Sequence, residues 1–126
     1  MVDKKTILLV EDDSSLQGPL AERLAAEGFN VLKAQDGAAG LEAAFKDHPD
    51  LILTDIIMPK MSGLVMISEL RKDAWGKNAK VIVLTNMSNL DNISEALKNE
   101  VFDYIVKSDT SLSQVVDKVK AKIAAG

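Results

Sequence analysis

Four apolar runs in this chain end on residues able to do polar chemistry. Ile7-Leu8-Leu9-Val10 runs into Glu11, Asp12 and Asp13, and Leu51-Ile52-Leu53 leads to Asp55. Val81-Ile82-Val83-Leu84 stops on Thr85, and Tyr104-Ile105-Val106 stops on Lys107. Gathered in one crevice, Glu11, Asp12, Asp55 and Lys107 make three carboxylates and one ammonium, a net negative site that a hard divalent cation would neutralise. With oxygen donors and no Cys or His beside them, the favoured ion is Mg²⁺, with Mn²⁺ possible, and Mg²⁺ recruits phosphate oxygens readily. A phosphoryl group can then be held by metal, lysine and hydroxyl together. An aspartate is a competent nucleophile toward phosphorus, and positioning plus charge neutralisation carries most of such a transfer.

Bringing these residues together requires a particular order of elements. Short apolar runs alternate with segments of helical period five times over. Ile7–Val10 precedes Leu16/Leu20/Leu24, and Phe29–Leu32 precedes Ala38/Leu41/Ala44/Phe45. Leu51–Leu53 precedes Leu64/Ile67/Leu70, Val81–Leu84 precedes Leu90/Ile93/Leu97, and Tyr104–Val106 precedes Leu112/Val115/Val119/Ile123. Five strands and five helices in strict alternation imply an α/β doubly wound parallel sheet with right-handed crossovers and helices on both faces. Ligands in such sheets bind beyond the carboxyl ends of the strands, where the polar residues above fall. The second strand ends in the less distinctive Lys33-Ala34-Gln35-Asp36. Gly28 is expected to close the first helix, His48-Pro49 to precede the third strand, and Ser111 to Gln114 to form a capping box. Gly18-Pro19 should loosen the opening turn of the first helix.

Composition narrows the function classes. The 126 residues, 47% hydrophobic and 27% charged, suit one globular domain. A formal net charge of −4 with no Lys/Arg run argues against direct nucleic-acid binding and against an anionic membrane surface. There is no cysteine, hence no disulfide framework and no thiolate metal site. The apolar run in MVDKKTILLVEDD is too short for a signal or spanning segment, so a cytoplasmic protein is expected.

The pieces ILLVEDD, DLILTDIIMPKMSG, VIVLTN and DYIVKS, in this order and spacing, resemble the receiver domain of two-component response regulators from about Thr6 to Ile123. The resemblance implies a flavodoxin-like five-stranded sheet of order 2-1-3-4-5. It implies Asp55 as phosphoacceptor, and Glu11, Asp12, Asp55 and the backbone carbonyl of Ile57 as Mg²⁺ ligands. Thr85 would bind a phosphoryl oxygen, Lys107 would neutralise it, and Tyr104 would follow Thr85 in the switched state. The phosphoryl donor is then a histidine kinase or histidine phosphotransfer protein. A downstream protein is expected on the face formed by the helix carrying Leu90, the fifth strand and the last helix. The chain should catalyse only its own phosphorylation and dephosphorylation. Residues 1–126 are expected to form a single receiver domain without an output domain, acting through protein contact, unless the chain is a truncated receiver.

The family pattern is departed from in four places. Ser108 stands where proline usually follows the lysine, and Asn86 is bulkier than the usual small residue after the threonine. Ile57 and Met87 put apolar side chains where hydrolytic water should approach, which predicts a long-lived phosphoryl aspartate. Glu100-Val101 replaces a common Gly-Ala step, with no evident functional consequence.

Plainer readings exist for each residue. The acidic run could be a solvated loop entering a helix whose N-terminus favours acids, and Asp13 is expected to face solvent. Asp55 could be a turn residue, Thr85 a β-branched strand residue, Lys107 a surface lysine and Tyr104 ordinary packing. His48 is expected to be neither catalytic nor metal-bound, Trp75 to cover an end of the sheet, and Met58 and Met61 to pack a loop. Among competing functions, an aspartate-nucleophile phosphatase would need a second aspartate where Ile57 stands. A flavin or nucleotide module would need a phosphate-cradling loop after the first strand. A receiver that signals by binding alone, without phosphate, is kept open by Asn86 and Ser108.

Overall fold

A computed structural model describes residues 4–85, 103–107 and 110–124, with the backbone alone at Thr85. Five strands are present: β1 (Thr6–Val10), β2 (Asn30–Ala34), β3 (Leu51–Asp55), β4 (Val81–Thr85) and β5 (Asp103–Val106). The described helices are α1 (Ser14–Ala26), α2 (Gly37–Asp47), α3 (Gly63–Arg71) and α4 (Leu112–Ala124), with a 3-10 turn at Gly76–Asn78. All strand pairs are parallel and the order is β2-β1-β3-β4-β5. The expected helix through Leu90, Ile93 and Leu97 lies outside the described residues.

Continuous apolar runs are what a sheet covered on both faces needs, and side-chain alternation splits them into two cores. Leu8, Val10, Ile52, Val81 and Val83 pack with Ala44 of α2 and Met66, Ile67 and Leu70 of α3. Ile7, Leu9, Leu51, Leu53, Ile82 and Leu84 face the other way, onto Leu20, Ala21 and Leu24 of α1 and Val115, Val116 and Val119 of α4. The α1–α4 layer is tied at its rim, where Arg23 donates to Ser113 Oγ at 2.7 Å and Lys120 meets Glu27 at 2.8 Å.

Helix ends follow local chemistry. Asp13 caps α1, its Oδ1 accepting from the Ser15 N–H at 3.0 Å and the Ser15 hydroxyl at 2.6 Å. Gly28, at φ 97°, supplies the left-handed residue after the helix. The Gly18-Pro19 step does not break α1, which continues through Pro19 to Ala26. Burial of Leu20, Ala21 and Leu24 beyond the proline holds it. His48 ends α2 in the left-handed region at φ 44° and stacks on Trp75, ring centroids 4.3 Å apart and planes 8° from parallel. Trp75 packs at the edge of the α2–α3 core, and Met58 and Met61 pack the β3–α3 loop against it, as expected.

Candidate functional site

Parallel strands deliver their C-terminal ends to one edge, and there the predicted polar residues meet. Glu11 directly follows β1, Asp55 is the last residue of β3, and Lys107 directly follows β5. The Lys107 ammonium donates to Glu11 Oε1 at 2.6 Å and to Asp55 Oδ2 at 2.7 Å. Asp55 Oδ1 accepts the backbone N–H of Ile56 at 2.7 Å, so both its oxygens are engaged. One carboxylate oxygen each from Glu11, Asp12 and Asp55 lies within 4.8 Å of the others, the one such acidic group among the described residues. Glu11 is 1% exposed and Asp12 open to solvent, giving the group one buried anchor and one exposed side.

Burial pushes the Glu11 carboxyl up to about 7; Asp55 adds repulsion while the bond from Lys107 pulls the other way. Burial also works against the charge on Lys107, but its bonds to Asp55 and Glu11 hold its pKa above the usual lysine value. The cluster is thus a mutually dependent set in which the ammonium keeps two neighbouring carboxylates compatible.

The loop after β3 is held from both ends. Gly63 opens α3 and its N–H donates to Ile56 O at 2.8 Å. A Cβ on Gly63 would run into the Asp55 carbonyl, so only glycine allows this approach. Further along, the Gly37 N–H at the start of α2 donates to Met61 O at 3.0 Å, and Ser62 Oγ accepts from Val65 N–H at 3.2 Å. Ile57, in this loop, is 66% exposed.

Tyr104 lies on β5 beside Val83 and is 42% exposed. The Thr85 backbone ends β4 beside Val106, while its side chain, with Asn86, Met87, Glu100, Val101 and Ser108, lies outside the described residues. Asp13 is exposed and spent on the helix cap. His48 stands with Trp75 at the opposite end of the sheet, beside Lys5, Asp50 and Lys80.

Gln17 escaped the sequence analysis. It occupies the buried face of α1 with Leu20, Ala21 and Leu24, and its Nε2 donates to Glu11 O at 3.0 Å and to Ala34 O at 2.9 Å. The available signal was a carboxamide at i, i+3, i+4, i+7 spacing with apolar residues.

The family model described as the response regulator receiver domain matches residues 7–120. The chain belongs to this family. Similar curated proteins include the transcriptional regulatory protein PrrA of Mycobacterium tuberculosis, 36% identical over 120 residues, or 95% of this chain and 50% of that protein. The hybrid signal transduction histidine kinase D of Dictyostelium discoideum is 35% identical over 125 residues, covering 97% of this chain and 8% of that one. The chain spans half or less of the length of the curated relatives it matches. Among solved structures, the response regulator receiver domain protein of Methanospirillum hungatei superposes with a TM-score of 0.87 at 28% identity, covering 98% and 96% of the two chains. The chemotaxis response regulator CheY4 of Vibrio cholerae, at 22% identity and TM-score 0.86 over 95% and 99%, shares the fold. This chain is therefore a receiver domain of the two-component type, with the 2-1-3-4-5 sheet expected of it. Among the described residues, no helix is long and apolar enough to cross a membrane.

Proposed function

We propose that this receiver accepts a phosphoryl group on Asp55 from a phosphohistidine of a kinase or phosphotransfer protein, with Mg²⁺. The observation that supports this best is the Lys107 ammonium bonded at once to Asp55 and Glu11, beside three convergent carboxylates.

The donor set fits the ion. Glu11, Asp12 and Asp55 offer hard carboxylate oxygens that lie within 4.8 Å of one another, the donor type that Mg²⁺ prefers. Glu11, Asp12, Asp55 and the Ile57 carbonyl would hold the ion, which would supply positive charge to the phosphoryl oxygens. Asp55 Oδ2 attacks phosphorus as the P–N bond to the donor imidazole breaks, and the leaving nitrogen keeps the electron pair. Lys107 moves from the carboxylate it now contacts to a phosphoryl oxygen, and the Ile56 N–H keeps Asp55 Oδ1 in place. Thr85 takes a second phosphoryl oxygen, and Tyr104 turns with it to alter the outer face. Such a local charge change biases two conformations and is read by a protein partner on the side of β5 and α4. The chain turns over no other substrate and works in the cytoplasm.

The reading of a slow loss of the phosphoryl group rests on the apolar type of Ile57, an exposed side chain two residues past the acceptor. Incubation with acetyl phosphate and Mg²⁺ should add one phosphoryl mass to the wild type and none to Asp55→Asn. No adduct would refute phosphoacceptor function and favour a receiver that signals by binding alone, and an adduct retained in Asp55→Asn would refute Asp55 as the acceptor.

A further inference from the structure

The two acids that begin the site, Glu11 and Asp12, share one peptide group, and the carbonyl of that peptide is Glu11 O. It lies one residue past the paired span of β1 and β2, which ends at Val10 and Ala34. The last rung, from the Glu11 N–H to Ala34 O at 3.0 Å, leaves Glu11 O beyond the sheet. The Gln17 Nε2 takes up this position, donating to Glu11 O at 3.0 Å and to Ala34 O at 2.9 Å. Gln17 is 8% exposed, and no buried side-chain nitrogen or oxygen among the described residues lacks a partner.

We infer that Gln17 is a positioning residue for divalent-cation binding: its carboxamide fixes the Glu11–Asp12 peptide and so sets the directions in which the two carboxylates leave the backbone. This rests on the metal-dependent reading above. The two torsions that flank this peptide, ψ of Glu11 and φ of Asp12, orient the two Cα–Cβ bonds relative to one another. One side chain goes to the buried anchor beside Lys107 and the other to the exposed side of the group. A ligand pair on adjacent residues carries any tilt of its shared peptide into both carboxylates at once. Among the described residues Gln17 is the donor to Glu11 O, and its bond adds to the Glu11 N–H rung and to the bonds that the Glu11 carboxylate accepts from Lys107 Nζ and the Asp13 N–H. An apolar residue there would fill the same space in α1, since Leu20 and Leu24 continue the face. The carboxamide's distinctive contribution is its pair of donors. Ligand supports of this kind change metal affinity by about 10–100-fold when removed.

The test measures Mn²⁺ binding by the loss of the free-ion electron paramagnetic resonance signal, at a temperature where circular dichroism shows every variant folded. Gln17→Met keeps the length and deletes both donors. Leu24→Val, two turns along α1 and remote from the acids, controls for a general loss of stability. The expected result is Mn²⁺ binding at least about tenfold weaker in Gln17→Met, with Leu24→Val within twofold of the wild type. A backbone amide shift at Asp12 in Gln17→Met, seen before any metal is added, supports the same conclusion. Should Gln17→Met not fold, Gln17→Leu, which also removes both donors and adds no charge, is read in the same way. Equal affinity in wild type and Gln17 variant, or an equal loss in Leu24→Val, overturns the inference alone. A wild type that binds no Mn²⁺ overturns the metal-dependent reading, and the inference with it.

Discussion

Lys107 stands between two carboxylates that would otherwise repel each other, and this makes it both a competitor and a helper. Its charge opposes that of an incoming cation, so Lys107→Met should tighten Mg²⁺ by roughly tenfold, about 1.4 kcal/mol. The same variant should take up phosphoryl from acetyl phosphate far more slowly, because the group's oxygens lose their neutralising partner. Calorimetric Mg²⁺ titration and intact-mass labelling read these two opposite changes. Glu11 carries the pH dependence. Its folded value near 7 exceeds the ordinary glutamate value of 4.5 because burial disfavours the charged form. Between those values the native state holds a proton that the unfolded chain has released, so metal-free stability should fall as pH rises through this window. Lys107 is shifted upward from 10.5, so its contribution is present throughout that range and is lost only at higher pH. Urea midpoints at pH 5 and pH 7.5 should thus decline without metal. Saturating Mg²⁺, which favours the ionised carboxylate, should flatten or reverse the trend.

The β3–α3 loop shows how an element places chemistry that no single side chain could place. It is pinned to α2 through Met61 and, through Gly63, to Ile56 just past β3, and Ile57 lies between Ile56 and Met61. Gly63→Ala forces the loop away from the Asp55 carbonyl. We expect labelling by acetyl phosphate to drop by more than about tenfold, a cost like that of small misplacements in positioned reactions. Circular dichroism before and after Mg²⁺ addition should still show a folded domain. Helix ends were largely legible because capping is local chemistry. The Ser111 N–H donates to Gln114 Oε1 at 2.8 Å and the Gln114 N–H to Ser111 Oγ at 3.2 Å, the reciprocal box the spacing implied. Pro19 was less legible, since local preference predicts a weakened turn while the burial that offsets it is tertiary.

At the scale of the molecule, two cores share one sheet, so the central strands support both layers and the site at their ends. Leu53 is fully buried against α1 and α4, and Leu53→Ala should cost about 2–5 kcal/mol, measured as a lowered urea midpoint. Because Asp55 lies two residues farther along the same strand, partial loss of labelling should accompany it. The alternation of apolar runs and helical periods was enough to determine a doubly wound α/β fold, and motif order was enough to bring Glu11, Asp12, Asp55 and Lys107 to one edge. Both follow from chain-local periodicity joined to the handedness of parallel crossovers. The sequence set Asp13 apart as the acid facing solvent, but could not show the helix cap it forms through Ser15. Nor could it show that Lys107 bridges Glu11 and Asp55, or that a carboxamide on α1 holds the peptide between two ligands. Those outcomes depend on distances and burial between segments far apart in the chain: Glu11 and Lys107 are 96 residues apart, yet 2.6 Å separates their polar atoms. Only the packed sheet, by setting which strand ends are neighbours and how much water reaches them, decides such contacts and the pKa shifts they produce.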